Sequence, residues 1–267
     1  MMCFMNDFQK LQFDMLVRLD KVCRRHGLKY YLAYGTCIGA VRHKGFIPWD
    51  HDVDVLMPFD DARKLGEYQD EFGVDLYLSN YLNDKNNVDT KALLVNRKHK
   101  CRIIENGCVV GVYHVSMDIY PFYNCPPTKI GLTLNIWRSH IYKILVGGIP
   151  RNHGKLAKVI GKMILFFIPQ KNRKKAIGRI EKKLNYKGKS NEIADYYGLD
   201  ISFMSAITYK KEWFGKPSEI EFEGKRFYGP TDADKYLTKR YGDYMTPVSR
   251  KEIEKEAKFE LITEEAI

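Results

Sequence analysis

Asp52-Val53-Asp54-Val55, running on through Leu56 and Met57 to Pro58, is the stretch that decides the fold. Acid and valine alternate here with the period of a half-buried β-strand. Alternate side chains leave a strand on opposite faces, so Asp52 and Asp54 share one face with Cα atoms ~6.5–7 Å apart. Val53 and Val55 then point into a core. Like charges held this close repel one another, which implies a cation between them. Two carboxylates at this spacing can grip a hard divalent ion, Mg²⁺ or Mn²⁺, from one side. The competing reading is a solvated strand end; the alternating valines argue against it. Asp50 could add to the same face, but it follows Pro48-Trp49 in a loop.

Upstream, Tyr30-Tyr31-Leu32-Ala33-Tyr34 reads as a short strand, and Gly35-Thr36 opens a short helix that runs through Val41. Thr36 is the expected N-cap, and the amides of that first turn make an anion site. Strand, Gly-Thr, helix, loop and a D-x-D strand would set a phosphate beside a metal. Arg42, His43 and Lys44 follow this helix, either as phosphate contacts or as solvated basic residues before the Gly45 turn. Trp49 reads as core packing, with a lid or base-stacking role as the alternative. Further upstream, Phe8, Leu11, Met15, Leu19 and Val22 recur at helical spacing over 7–26, and Gly27 stands where the helix ends.

Downstream, 59–70 reads as helix, and 74–79, 91–97, 101–104 and 114–120 read as strands. Asp118, in Met117-Asp118-Ile119-Tyr120-Pro121, is flanked by apolar residues and would be costly to bury without a partner. It is the candidate third acid, with a hydrogen-bonded structural Asp as the alternative. After Pro126-Pro127, helical patterns dominate 130–198. Residues 219–228 read as a hairpin around Glu223-Gly224, and a last helix covers roughly 231–241. The organisation expected is an α/β core over 1–128, a helical basic insertion over 129–200, and a C-terminal return over 201–267 that completes the core.

Composition sets the remaining bounds. Of 267 residues 45% are hydrophobic, enough for a substantial core, and no apolar run approaches the ~20 residues of a membrane span. The N-terminus lacks the basic and apolar regions of a signal peptide, and the six cysteines form no C-x-x-C pair, so a reducing, cytoplasmic setting is expected. Lys and Arg number 44 against 33 Asp and Glu, which points to polyanionic company. That charge concentrates at 151–189 with few aromatics, and no nucleic-acid-binding signature occurs, so no nucleic-acid partner is expected. The same segment carries Lys155, Lys158 and Lys162 on one helical stripe and a wholly apolar run from Met163 to Ile168. It reads either as an interfacial helix at an anionic membrane face or as a helix packed on the core with a solvated lysine face.

From Tyr31 to Val55 the residues together resemble the signature of the LicD family, which comprises phosphocholine transferases and relatives including fukutin-type ribitol-phosphate transferases. Met117-Asp118-Ile119-Tyr120-Pro121 looks like the family's second acidic strand. Phe222-Glu223-Gly224-Lys225-Arg226-Phe227 and Tyr241-Gly242-Asp243-Tyr244-Met245 are similar to its C-terminal block. The resemblance implies an α+β, nucleotidyltransferase-like mixed-sheet core. It also implies transfer of a phospho-alcohol from a CDP-activated donor to a hydroxyl of a cell-surface glycan, or of its lipid-linked precursor. Carried onto this chain, Asp52, Asp54 and Asp118 are the catalytic metal acids, and Gly35, Thr36, Arg42, His43, Lys44 and Arg226 are donor contacts. His51 departs from the pattern, standing where an acid is common, and 91–97 lacks a Lys near Val95, leaving Lys91 or Arg97 as substitutes. The alternative activity is transfer of NMP from an NTP to a small substrate.

Overall fold

The computed structural model describes residues 5–84, 87, 89–105, 107–149, 155–196, 207–249, 253 and 258–262. Residues 151–154 of the basic segment, 197–198 of the helical region and 201–206 of the expected C-terminal return lie outside the described residues. The chain divides into two compact units: residues 1–78, 93–119 and 213–267 form one, and 79–92 with 120–212 form the other. The architecture is mixed α/β, as expected.

The first unit opens with α1 (Asp7–His26). Asn6 Oδ1 accepts from Gln9 N at 2.8 Å and Gln9 Oε1 accepts from Asn6 N at 3.0 Å, a reciprocal capping box. At the other end Gly27 takes φ +64°, Leu28 N–H bonds Cys23 O at 2.9 Å, and the Gly27 N–H bonds Arg24 O. That is a Schellman close, which only a residue at ease in the left-handed region completes without strain. Met15, Leu16 and Leu19 are fully buried beneath the helix.

The strands follow: β1 (Tyr31–Leu32), β2 (Asp54–Pro58), β3 (Leu76–Ser79), β4 (Ala92–Glu105), β5 (Cys108–Asn124) and, near the end of the chain, β10 (Lys258–Ile262). They run β1-β2-β5-β4-β10 across the sheet, with β3 paired on β4. β1 and β10 pair antiparallel to their neighbours. Val53 and Val55 are fully buried on either side of Asp54, and Val115, Met117 and Ile119 of β5 are fully buried on alternate positions; in β2 the alternation ends after Val55, where Leu56 and Met57 are both buried. The sheet strand β2 begins at Asp54, leaving Asp52 in the chain just before it.

Between them lie α2 (Tyr34–His43) and α3 (Phe59–Leu65), the latter continuing as a 3₁₀ segment over Gly66–Phe72. The unit is completed by β8 (Ser218–Phe222), β9 (Lys225–Gly229) and α7 (Ala233–Tyr241). Glu223 and Gly224 both take positive φ, +50° and +74°, which makes a two-residue turn of the type that matches strand twist. α2 packs against β2, β8 and α7.

In the second unit α4 (Lys129–Gly147) starts at Thr128, whose side chain accepts from Gly131 N, and packs on α6 (Gln170–Leu184) and α5 (Lys155–Phe167). Two short strands, β6 (Glu192–Ala194) and β7 (Thr208–Lys210), pair with each other, and β6 pairs with Tyr123 and Asn124. Two polar centres fix the packing. Asn135, fully buried, donates to Leu184 O and Tyr196 Oη. Glu181, 5% exposed, accepts the hydroxyls of Tyr81 and Tyr142. A buried carboxylate without such donors would be strongly destabilising.

Candidate active site

The start of α2 is built differently from the expectation. Ala33, not Thr36, is the N-cap, and it supplies no side-chain cap. Thr36 is the third residue of the helix, 3% exposed, where its Oγ1 accepts from the backbone N–H of Asp54 at 2.9 Å. The hydroxyl therefore ties the helix start to the acidic strand. A local cap was expected because Thr follows Gly, but a strand amide eighteen residues away is the better partner. Tyr34, at φ +46°, donates its N–H to the Tyr236 hydroxyl at 3.2 Å. The amides of Gly35 and Thr36 belong to the first helical turn, which has no acceptors within the helix.

Against this turn lies the acidic loop. A Cβ added at Gly35 would stand 2.5 Å from Asp50 Oδ2, so glycine is what lets the Asp50 carboxylate approach the helix backbone. The loop is tethered from the far side by α1: Gln9 Nε2 donates to Asp50 O at 2.9 Å. Asp50 Oδ1 accepts from His51 N, and Asp50 N bonds Ile47 O. The preceding turn is clamped by the hairpin: Phe46 N donates to Glu223 Oε1 at 3.0 Å and Glu223 N to Lys44 O at 2.8 Å.

The result is a cleft of about 400 Å³. Asp50, Asp52 and Asp54 line one side with Gly35; Arg42, Ile38, Ile47 and Trp49 continue the wall. The C-terminal segment closes it with Tyr241, Asp243, Tyr244, Thr246 and Val248. Arg42 is fixed by donating to Tyr244 O at 2.9 Å and to His43 Nε2 at 2.8 Å. Burial raises the Tyr241 phenol above its ordinary value; the Arg240 charge opposes this and the negative charge of Asp54 reinforces it. The Tyr241 hydroxyl oxygen accepts from Arg240 Nε at 3.3 Å. Asp243 is held below the usual carboxylate range by hydrogen bonds from the Thr246 hydroxyl and backbone N–H.

Of the residues singled out from sequence, the cleft gathers Gly35, Arg42, Trp49, Asp50, Asp52, Asp54 and Tyr241. Asp118 lies on β5, the neighbour of β2, with its N–H on Val53 O at 3.1 Å, and it is half-buried; its side chain is not among those lining the cleft. Lys44 and His43 are exposed outside it, Lys44 closing α2 at φ +61°. Arg226 belongs to the outer surface of the hairpin, where its guanidinium meets Glu219 O. His51 turns from the cleft to pack between Phe8 and Phe259. Burial pushes its imidazole below the ordinary value despite the pull of Asp52. Sequence reasoning gave no site role to Asp243 and Tyr244 and passed over Thr246 and Val248. The signal for the first two was present in Tyr241-Gly242-Asp243-Tyr244, where Gly242 at φ +70° turns the chain back onto α2.

The donor set is all oxygen, which suits Mg²⁺ or Mn²⁺ rather than zinc. Among the described residues no group of three Asp, Glu, His or Cys side chains is drawn together closely enough to enclose an ion. Mg²⁺ needs no such cage: it is commonly held by one or two carboxylates, with substrate phosphates and water completing the shell. Asp52 and Asp54, opening onto a cleft that can admit a diphosphate, fit that pattern.

The site is thus an acid-edged cleft at a helix start, on a mixed sheet. Residues 27–141 match the family described as LicD/FKTN/FKRP, nucleotidyltransferase domain. The chain is similar over 89% of its length, and 89% of the relative's, to lipopolysaccharide cholinephosphotransferase LicD of Haemophilus influenzae, at 27% identity. It is also 28% identical over 114 residues, 43% of the chain and 20% of the relative, to ribitol 5-phosphate transferase FKRP of Mus musculus.

Proposed function

We propose that this protein is a metal-dependent LicD-type phosphotransferase. It moves a phospho-alcohol, phosphocholine or a close analogue, from a CDP-activated donor to a hydroxyl of a cell-surface glycan or its lipid-linked precursor. The observation that carries the reading is the placement of Asp52 and Asp54 in one cleft with the first turn of α2. Similarity to a cholinephosphotransferase over nearly the whole chain favours the phospho-alcohol as the group moved.

In this reading the acceptor oxygen attacks the phosphorus that bears the alcohol. The bond from that phosphorus to the bridging oxygen breaks, and CMP leaves with the electron pair. When bound between Asp52 and Asp54, a divalent cation would neutralise the charge on the diphosphate and leaving CMP. The amides of Gly35 and Thr36 and the guanidinium of Arg42 hold phosphate oxygens. The hydroxyl proton passes to a carboxylate of the acid edge, with Asp118 on the strand beside β2 as the expected third acid. Tyr241 and Trp49 shape the cleft wall.

The test is a panel of CDP-alcohols with Mg²⁺ or Mn²⁺, scored by CMP release, with Asp54→Asn as the control. CMP release that needs both metal and Asp54 supports the reading. Turnover of an NTP to pyrophosphate, with every CDP-alcohol inert, would replace it with nucleotidyl transfer, which the domain description also accommodates.

A further inference from the structure

The net charge of +11 has a single address. Residues 155–189 hold twelve Lys and Arg and one acid, Glu181, so the rest of the chain is close to balanced. Glu181 does not offset that charge at the surface, because its carboxylate is buried under two tyrosine hydroxyls. Lys155, Lys158 and Lys162 on α5, and Lys171, Lys175 and Lys182 on α6, are all exposed.

α5 carries apolar side chains on two faces. Gly161 is buried near Ile149, with Ile164 and Leu165 half-buried. At 100° per residue these three fall on one side of the helix. On the other side Leu156, Phe166 and Phe167 are 74%, 80% and 73% exposed, and Val159, Ile160 and Met163 are exposed with them. These six fill an arc of about 120°, and the three lysines follow one another along its flank. Soluble surfaces rarely leave so continuous an apolar arc uncovered; such an arc marks an interaction face. Lysine is depleted at protein–protein interfaces, and α5 holds no acid. Phenyl rings bordered by lysines instead complement an anionic bilayer surface, where rings enter the acyl boundary and ammonium groups reach lipid phosphates. No helix of the described residues is long and apolar enough to cross a membrane, so the fit is in the plane of the surface.

We propose that α5 is a monotopic helix that seats this protein on an anionic lipid surface through Phe166, Phe167 and its neighbouring apolar arc, with the lysines of α5 and α6 supplying the attraction. The inference stands independently of donor and metal, since binding to vesicles needs neither.

The test is flotation of the full chain with vesicles of phosphatidylcholine alone and of phosphatidylcholine mixed with phosphatidylglycerol, at low and high salt. The expected result is recovery with the anionic vesicles, reduced by salt. Phe166→Ser with Phe167→Ser should lower partitioning by about tenfold per ring, and each of Lys158→Glu and Lys162→Glu by about fivefold or more. All four side chains are exposed, so thermal melts of the variants should match the parent. Flotation unchanged in the double serine variant overturns the proposal, as does failure of the parent to float at low salt. Sedimentation showing a dimer that the serine variant dissociates, with no flotation, assigns the face to a second copy and also overturns it. Salt-dependent retention on RNA without flotation overturns it in favour of a nucleic-acid surface.

Discussion

At Asp52 or Asp54, substitution by Asn removes a charge while keeping the volume and part of the hydrogen bonding. Turnover should fall on the order of a hundredfold or more in either variant, since phosphoryl charge loses its counter-ion site. The melting temperature should hold or rise, because paired like charges no longer repel in the ligand-free protein. Near-parental CMP release by either variant would sink the metal assignment. Gly35→Ala is a sharper probe. The new Cβ would meet Asp50 Oδ2 at 2.5 Å, so Asp50 must move off the helix start. Steady-state kinetics should show a raised KM for the donor. The acid pair was legible from its alternation alone, since period two is a local signal. The role of Thr36 was not, because its partner is the Asp54 amide and pairing across a fold leaves no mark on local spacing. Tyr241 and Asp243 are further still from the acids in sequence. Only the resemblance of the C-terminal block put them in view.

Elements owe their positions to a few hydrogen bonds between hairpin, helix and loop. The β8–β9 turn holds the loop before the acids through Glu223, which meets both Phe46 N and Lys44 O. Glu223→Ala should cost about 1.5–3 kcal/mol in chemical denaturation, a charged hydrogen bond having been lost. A second tie joins α1 to the chain entering β3. Arg18 Nη1 donates to Asp75 Oδ1 at 2.8 Å and to Phe72 O at 3.2 Å. The Arg18 hydrogen bond holds the Asp75 carboxyl below its ordinary 3.8. A depressed acid stabilises the fold above its ordinary value and loses that effect as pH falls through the lowered one. Asp75→Asn should therefore destabilise at pH near 7, and the gap should close in urea melts taken progressively more acid than 3.8. Helix α1 and the β8–β9 hairpin were readable because Asn6, Gln9, Gly27 and Glu223-Gly224 are local punctuation. β4 was read as two strands, 91–97 and 101–104, β5 was read too short, and β10 was missed. Its Lys-Phe-Glu-Leu-Ile carries little signal, and it is a strand because residues 100–104 supply its ladder.

On the scale of the whole molecule, ligand linkage gives the broadest check. A CDP-alcohol that binds the folded state should raise the melting temperature when Mg²⁺ or Mn²⁺ is present, equivalent to about 2.7 kcal/mol at a hundredfold excess over Kd. A chelator should abolish the shift, and a shift produced by NTPs alone would favour nucleotidyl transfer. The units themselves were only partly legible: the change of character after Pro126-Pro127 is visible in composition, whereas the inclusion of 79–92 with residues 120–212 is a matter of contacts. One feature of the first unit bears on how the protein is made. Its sheet is closed by β10 on β4, and Phe8 near one end of the chain packs on Phe259 near the other, ring centroids 5.6 Å apart. Pairings of such long sequence separation are slow to form and late. During synthesis the segment 120–212 leaves the ribosome while β4 still lacks its outer neighbour. The ring of Phe8 therefore lacks its Phe259 partner until the strand that carries it emerges.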